Sequence, residues 1–181
     1  GWAAGLQLAA ISLRASRGRD LLVEEFQGSH RGISDYLLQE VVAQLPGDVH
    51  DFLLRTSVLS RMNASLCEAV TGNADSRRLL GEVRRRNLFL VPLDDTDEWF
   101  RYHHVFAQFL QNALKRRSPE AWMAAHRRAS EYGVRHGMLD ESIDHALIAQ
   151  DYALAESGML AHIQTMLSRG ELTTLLRRFE R

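Results

Sequence analysis

The stretch Phe100-Arg-Tyr-His-His-Val-Phe-Ala-Gln-Phe-Leu110 begins with the pattern of a strand and ends with that of a helix. Residues 99–102 alternate as in a half-buried strand, which places Phe100 and Tyr102 on one face. From Val105 onward the apolar residues recur at helical spacing instead. The stretch therefore predicts a strand that runs directly into a helix, with two histidines where they meet.

His103 and His104 occupy this predicted joint. The first amides of a helix favour anions, so an imidazole held beside them is well placed to recognise a phosphate. A histidine in this position also commonly caps the helix or packs into the core. The residues alone favour that structural role.

Three short helical patterns precede the joint, at residues 49–59, 63–72 and 75–86. Residues 88–92 and 98–103 then have the composition of two short strands, and the acidic residues 94–97 form a turn between them. Three short helices, a two-stranded hairpin and a further helix follow the order of a winged helix. The predicted fold is therefore mainly α, with one small β-hairpin.

Several helix ends are predicted from single residues. Ser65 and Glu68 have the spacing of a capping box, and Gly72 suits the end of the same helix. After the hairpin, Ser118 followed by Pro119 predicts an N-cap and the first residue of a new helix.

The remainder of the chain, from Ser118 on, is predicted to contain helices alone, packed as antiparallel pairs at the start of an α-helical (TPR-like) repeat array. The apolar residues expected to face inward are Ile143, Ala146, Leu147, Ala155, Met159, Ile163, Leu167, Leu172, Leu175, Leu176 and Phe179.

The composition limits the class of protein. A chain of 181 residues with 45% hydrophobic residues can bury a core, and a net charge of -1 gives no overall attraction to nucleic acid or to an anionic membrane. The apolar run of residues 1–13 is shorter than the roughly 20 residues of a membrane span. The single cysteine, Cys67, excludes an internal disulfide, leaves no zinc site, and favours a reducing cytoplasm and a buried, inert thiol.

Arg84, Arg85 and Arg86 end the third predicted helix, which winged-helix proteins place in the DNA major groove. Residues 94–98, at the predicted wing tip, carry four carboxylates where a DNA-binding protein needs positive charge. The arginines are therefore interpreted as a solvated helix end, or as a contact with a missing domain of the same chain.

Catalysis by this segment is not expected. The phosphate-binding motif Gly-x-x-x-x-Gly-Lys-[Ser/Thr] does not occur in the sequence. Cys67 and His103 could be read as a nucleophile and its base, but no third group or oxyanion site accompanies them.

Four segments together resemble the large, ATP-binding, maltose-regulator-type members of the LuxR family of bacterial transcription activators. They are Gly1-Trp-Ala-Ala-Gly-Leu-Gln-Leu8, Ile33-Ser-Asp-Tyr-Leu37, Phe52-Leu-Leu-Arg-Thr-Ser57 and Phe100-Arg-Tyr-His-His-Val-Phe106. The resemblance covers nearly the whole chain.

The resemblance implies an internal fragment of a nucleotide-switch ATPase. Such proteins contain a nucleotide-binding domain, a small helical domain, a winged helix, a superhelical inducer sensor and a C-terminal helix-turn-helix. On this map residues 1–28 are the tail of the helical domain, residues 29–117 the winged helix, and residues 118–181 the start of the helical arm. The nucleotide-binding domain and the helix-turn-helix are expected outside this sequence.

The resemblance also implies the role of His103. In related switch ATPases a histidine of the winged helix contacts the phosphate of bound ADP, and His103 matches it. His104 stands where those relatives often have aspartate, which leaves its role open.

The same resemblance sets the expected cofactors and partners. The fragment itself is expected to hold no cofactor, whereas the parent protein would bind ATP or ADP with magnesium. Expected partners are the missing nucleotide-binding domain, a small-molecule or protein inducer bound by the helical repeats, a second copy of the chain, and DNA only through the missing helix-turn-helix. No membrane partner is expected. The alternative is a winged-helix DNA-binding module with a helical partner-binding extension.

Overall fold

The computed structural model describes residues 41–168, which form helices and one small antiparallel sheet. In chain order the elements are α1 (Gly47–Thr56), α2 (Ala64–Thr71), α3 (Ser76–Arg85), β1 (Leu90–Pro92), β2 (Phe100–Tyr102), α4 (His104–Arg117), α5 (Pro119–Arg135), α6 (Leu139–Ile148) and α7 (Tyr152–Ser168). The mainly α fold with a small hairpin is confirmed. The predictions for residues 1–40 and 169–181 lie outside the described residues.

The hairpin of β1 and β2 forms the wing. Leu90 pairs with Tyr102 and Pro92 with Phe100. Met62, which precedes α2, pairs with the other side of Phe100: its N–H donates to the Phe100 carbonyl at 2.7 Å, and its carbonyl accepts the Phe100 N–H at 2.8 Å. β2 therefore has backbone partners on both sides, which fixes the strand that leads into α4.

The core lies beneath this hairpin. Phe100 and Tyr102 are buried and Arg101 between them is exposed, so the predicted alternation is confirmed. The Tyr102 ring lies edge-on to Phe106 of α4, with ring centroids 5.7 Å apart. The Tyr102 hydroxyl also shares a buried hydrogen bond of 2.8 Å with Thr56 of α1. These contacts attach the strand–helix joint to α1.

The predicted capping box of α2 is wrong. Asn63 is the N-cap, and its side-chain oxygen accepts the Leu66 N–H at 2.8 Å. Because α2 begins at Ala64, Ser65 already lies inside its first turn and cannot cap it. Gly72 does end the helix, with a φ of 71°, which glycine adopts without steric cost.

Helix α5 starts as predicted. The Ser118 hydroxyl accepts the Ala121 N–H at 3.2 Å, and Pro119 is the first helical residue. The helix packs against α2 and α4, and its residues Ala125 and Ala129 belong to the same buried cluster as the winged-helix core. The core is therefore continuous across residue 118.

Helices α5, α6 and α7 pack successively through small residues. Gly133 of α5 lies against Ser142 of α6, whose hydroxyl donates to the Ser130 carbonyl at 3.0 Å. Gly158 of α7 lies against Ile143 and the same Ser142. Glycine at these two crossings lets the three helices approach closely.

The inward orientation predicted for three residues of α6 and α7 is wrong. Leu147, Met159 and Leu167 are 44%, 44% and 49% exposed. Ala146 and Ala155, which were predicted to face inward with them, are buried as expected. None of the helices in the described part of the chain is long and apolar enough to span a membrane.

Candidate functional site

The strand–helix joint holds His103 by its backbone. His103 is the N-cap of α4, with φ -58° and ψ 136°. Its N–H donates to the Phe89 carbonyl at 2.8 Å, and its own carbonyl accepts the Ala107 N–H at 2.9 Å. The predicted placement of His103 between a strand and a helix is therefore confirmed, and its main chain is fixed on both sides.

The carbonyl that receives the His103 N–H is positioned by the end of α3. Asn87 has a φ of 53°, its N–H donates to the Arg84 carbonyl, and the Leu88 N–H donates to the Val83 carbonyl. This is the Schellman arrangement of a helix C-terminus. Phe89 follows with a φ of 54° although it is buried and bulky, a conformation that costs on the order of 1–3 kcal/mol. The strained residue is therefore the one whose carbonyl accepts the His103 N–H.

The His103 imidazole is only partly buried, and it makes no capping hydrogen bond to α4. Its ring lies 4.4 Å from the ring of the exposed His104. Partial burial lowers the pKa of His103, and the neighbouring His104 and Arg101 lower it further. A neutral imidazole has one N–H donor and one acceptor, so at neutral pH the ring can donate a hydrogen bond to an anion.

The three arginines at the end of α3 all have carboxylate partners. Arg84 pairs with Asp97 of the wing at 2.6 Å. Arg85 and Arg86 both pair with Glu82, one turn earlier on the same helix, and Arg86 does so at 2.6 Å. These two hydrogen bonds lower the pKa of Glu82. The basic run predicted as a contact surface is thus largely neutralised within the domain.

Two further charged side chains of the domain, Arg78 and Asp94, are also paired internally. Arg78 of α3 contacts Asp48 at 3.0 Å and Asp75 at 3.6 Å. At the wing, the Asp94 carboxylate accepts the N–H groups of Glu98 and Trp99 at 2.9 and 3.0 Å. The Asp94 carboxylate therefore stabilises the turn between β1 and β2.

A groove of about 340 Å³ lies between the start of α2, the outer face of α3 and the wing. Arg77, which has no carboxylate partner among residues 41–168, lines it together with Arg84, Asn63 and Phe100. Sequence reasoning missed this groove because its walls come from three separate segments. No ion pair or hydrogen bond within the described range joins the groove arginines to His103.

Cys67 is not a reactive group. It is fully buried, and burial raises the pKa of its thiol well above the ordinary value. The described residues contain no group of three or more histidine, cysteine or carboxylate side chains placed to bind a metal ion.

Comparison with known proteins identifies a family model and several relatives that are similar to this chain. Residues 38–122 match the family model of the MalT winged helix domain. The chain is 36% identical over 176 residues to the serine/threonine-protein kinase PknK of Mycobacterium tuberculosis (strain ATCC 25618 / H37Rv). It is 35% identical over 179 residues to the HTH-type transcriptional regulator MalT of Cronobacter sakazakii, and 36% identical over 177 residues to MalT of Klebsiella pneumoniae subsp. pneumoniae.

These matches are partial with respect to the relatives. Each covers 97% of this chain, but only 16% of PknK and 20% of either MalT. The chain thus spans about a sixth to a fifth of the length of the curated relatives it matches. The resemblance to maltose-regulator-like proteins is confirmed.

Proposed function

We propose a function for this chain from the premise that it is a MalT-like segment whose residues 38–122 belong to the family of MalT winged helix domains. The segment is a regulatory connector within a bacterial, LuxR-type transcription activator. It couples the nucleotide state of an ATP-binding domain to inducer sensing by the helical arm. On the proposed domain map the winged helix covers residues 29–117 and the arm starts at residue 118.

The observation that carries this proposal is the internal neutralisation of α3. A winged helix that binds DNA needs cations on this helix free to contact phosphate. Here Arg78, Arg84, Arg85 and Arg86 pair with carboxylates of the same domain, and among residues 41–168 only Arg77 of this helix lacks such a partner. Together with the acidic wing, this favours a contact within the protein over a contact with DNA.

The relatives support the same conclusion. PknK is named a kinase and MalT an HTH-type regulator, yet both contain a stretch similar to nearly all of this chain. Proteins with different outputs share this segment. A connecting or regulatory role for the segment fits both PknK and MalT, whereas a DNA-binding role fits only MalT.

His103 is the residue proposed to report the nucleotide state. Its backbone is fixed by Phe89 and Ala107, and its partly exposed imidazole is not used to cap α4. In the resting parent protein the imidazole would donate a hydrogen bond to a phosphate oxygen of ADP. A hydrogen bond to a charged group contributes roughly 1.5–3 kcal/mol, enough to shift a two-state equilibrium by about tenfold to a hundredfold.

The test is His103→Ala in the full-length parent protein. Faster ADP release and higher output without inducer are expected, and the 181-residue chain should keep its melting temperature because the imidazole makes no capping bond. His104→Ala is the matched control, since the neighbouring ring is exposed and should leave ADP release unchanged. Unchanged ADP release in His103→Ala, together with a melting temperature several degrees lower, would show that His103 is structural.

The DNA-binding alternative has its own test. A titration of the chain against random duplex DNA at rising salt concentration measures phosphate contacts directly, because affinity falls steeply with salt when they exist. We expect no measurable affinity. Tight, strongly salt-dependent binding would instead support a winged-helix DNA-binding module.

A further inference from the structure

Two histidines meet where α5 and α6 pack together. Nδ1 of His126 lies 2.7 Å from Nδ1 of His145. His126 is only 2% exposed, and its Nε2 atom is buried without a hydrogen-bond partner. On the other side of His126 the Trp122 ring packs edge-on, with centroids 4.4 Å apart. The imidazole of His126 therefore lies buried between the rings of His145 and Trp122.

The hydrogen bond requires one nitrogen to donate and the other to accept. In the neutral pair one Nδ1 carries the proton and the other presents its lone pair. In both arrangements Nε2 of His126 lacks a partner, so an additional proton on His126 would create a buried, uncompensated cation.

A shared metal ion does not fit this geometry. Two nitrogens bound to one tetrahedral zinc at about 2.0 Å would lie roughly 3.3 Å apart. The observed 2.7 Å is shorter and matches a hydrogen bond. The described residues also supply no third ligand.

We propose that the His126–His145 pair is a pH-sensitive latch that holds α6 and α7 against α5 when both imidazoles are neutral and releases them when the pair takes up protons.

The charged groups around the pair do not offset such protonation fully. On α6, Asp144 favours the charged form of His145. Glu141 of α6 shares a small pocket with His145, but it already pairs with Arg61 at 3.0 Å. From α4, the Lys115 ammonium lies 5.9 Å from the Trp122 ring centroid and adds a like charge on that side.

The direction of the pH effect follows from the two pKa values. Burial, and then the neighbouring His145, lower the pKa of His126 to about 3, and burial also lowers the pKa of His145. In the open joint both imidazoles would return to an ordinary pKa near 6.5. Opening therefore takes up protons, so the closed joint is fully stable above about pH 6.5 and loses stability as the pH falls. At pH 5.5 the open population rises by about tenfold for each imidazole that remains neutral in the closed state.

The latch is tested by hydrogen exchange of the 181-residue chain at pH 7.5 and 5.5, after correction for the intrinsic pH dependence of exchange. In the wild type, exchange in α6 and α7 should rise at least tenfold at pH 5.5, while α1–α4 keep their protection. His145→Gln removes one titrating group and should reduce that rise. His136→Gln is the matched control, because His136 caps the end of α5 but its ring bonds to the Tyr132 carbonyl, and the variant should behave like the wild type.

A second measurement keeps the proposal testable if a variant fails to fold. Imidazole NMR of the wild type should show His126 still neutral at pH 6, and His145 titrating below the ordinary pKa of a histidine. Titration of both rings near pH 6.5 without loss of protection in α6 and α7 would overturn the latch. Stoichiometric binding of added Zn²⁺ that is lost in His145→Gln would overturn it in favour of a metal site.

Discussion

Gly133 and Ser142 meet so closely where α5 packs against α6 that a Cβ atom added at residue 133 would lie 2.8 Å from the Ser142 Cβ. It would also lie 3.0 Å from the Met138 carbonyl oxygen, which belongs to the connection between the two helices. Neither atom is the end of a flexible side chain. The arm can therefore hold this packing only with glycine at residue 133.

Gly133→Ala should destabilise the chain by about 1–3 kcal/mol, because the two helices must separate to admit a methyl group. Gly81→Ala on α3 is the matched control, since its added methyl group would meet only the flexible Arg85 side chain, at 3.5 Å. There the higher helix propensity of alanine should stabilise the protein by up to about 1 kcal/mol. Urea unfolding of both variants measures the difference. Equal effects would contradict the close approach.

The buried Thr56–Tyr102 pair should respond unequally to removal of its two hydroxyls. Tyr102→Phe leaves Thr56 bonded to the Phe52 carbonyl at 2.7 Å, so the loss should be about 0.5–1.5 kcal/mol. Thr56→Val leaves the Tyr102 hydroxyl buried without that partner, which should cost about 1–3 kcal/mol. Urea unfolding of the two single variants and the double variant gives the coupling. A larger effect for Tyr102→Phe would contradict the assigned roles.

Helix α2 should depend on Asn63 for its N-terminal cap. Asn63→Ala should lower stability by about 0.5–2 kcal/mol, because the Leu66 N–H loses its acceptor. Glu68→Ala is the informative control: a capping box would make it equally harmful, whereas the exposed Glu68 should change stability by less than about 0.5 kcal/mol. Thermal unfolding distinguishes the two arrangements.

Releasing the arginines of α3 should create an affinity for DNA, which we expect the wild type not to have. Glu82→Gln frees Arg85 and Arg86, and Asp97→Asn frees Arg84. The double variant should gain salt-dependent binding to random duplex DNA, with a slope of about -0.9 for each phosphate contacted. Asp51→Asn, which frees Arg55 on α1, is the control and should not bind. Absence of binding in the double variant would show that neutralisation is not what prevents DNA contact.

The sequence predicted those features that depend on local spacing. The alternation around Phe100 predicted the strand, and the helical period after Val105 predicted the helix that follows it. Each pattern could be recognised because it reflects one face of a single element. The N-cap of α2 was mispredicted because both Asn63 and Ser65 are residue types that cap helices well. Which of them caps α2 depends on where the segment before the helix is held. That segment is held by Met62 and its backbone bonds to Phe100, a contact between residues far apart in sequence.

The surface chemistry was less accessible to sequence reasoning. The run Arg84–Arg86 was visible, but its neutralisation depends on Asp97 reaching back from the wing. The pairing of His126 with His145 likewise depends on how α5 and α6 pack, which spacing along either helix does not reveal. Leu147, Met159 and Leu167 were mispredicted because large apolar residues at helical spacing were taken to mark the contact, whereas these helices approach through glycine at residues 133 and 158.

The core that continues from the winged helix into α5 has a mechanical consequence. Ala125, Ala129 and Tyr132 share one buried cluster with Phe106, so α5 cannot turn relative to α4 without opening that cluster. The 17 residues of α5 form a rod about 25 Å long. A tilt of about 15° imposed at its first turn would displace its far end by roughly 6 Å. A rotation of the winged helix by this angle would therefore displace the far end of α5 by about the length of one helical turn.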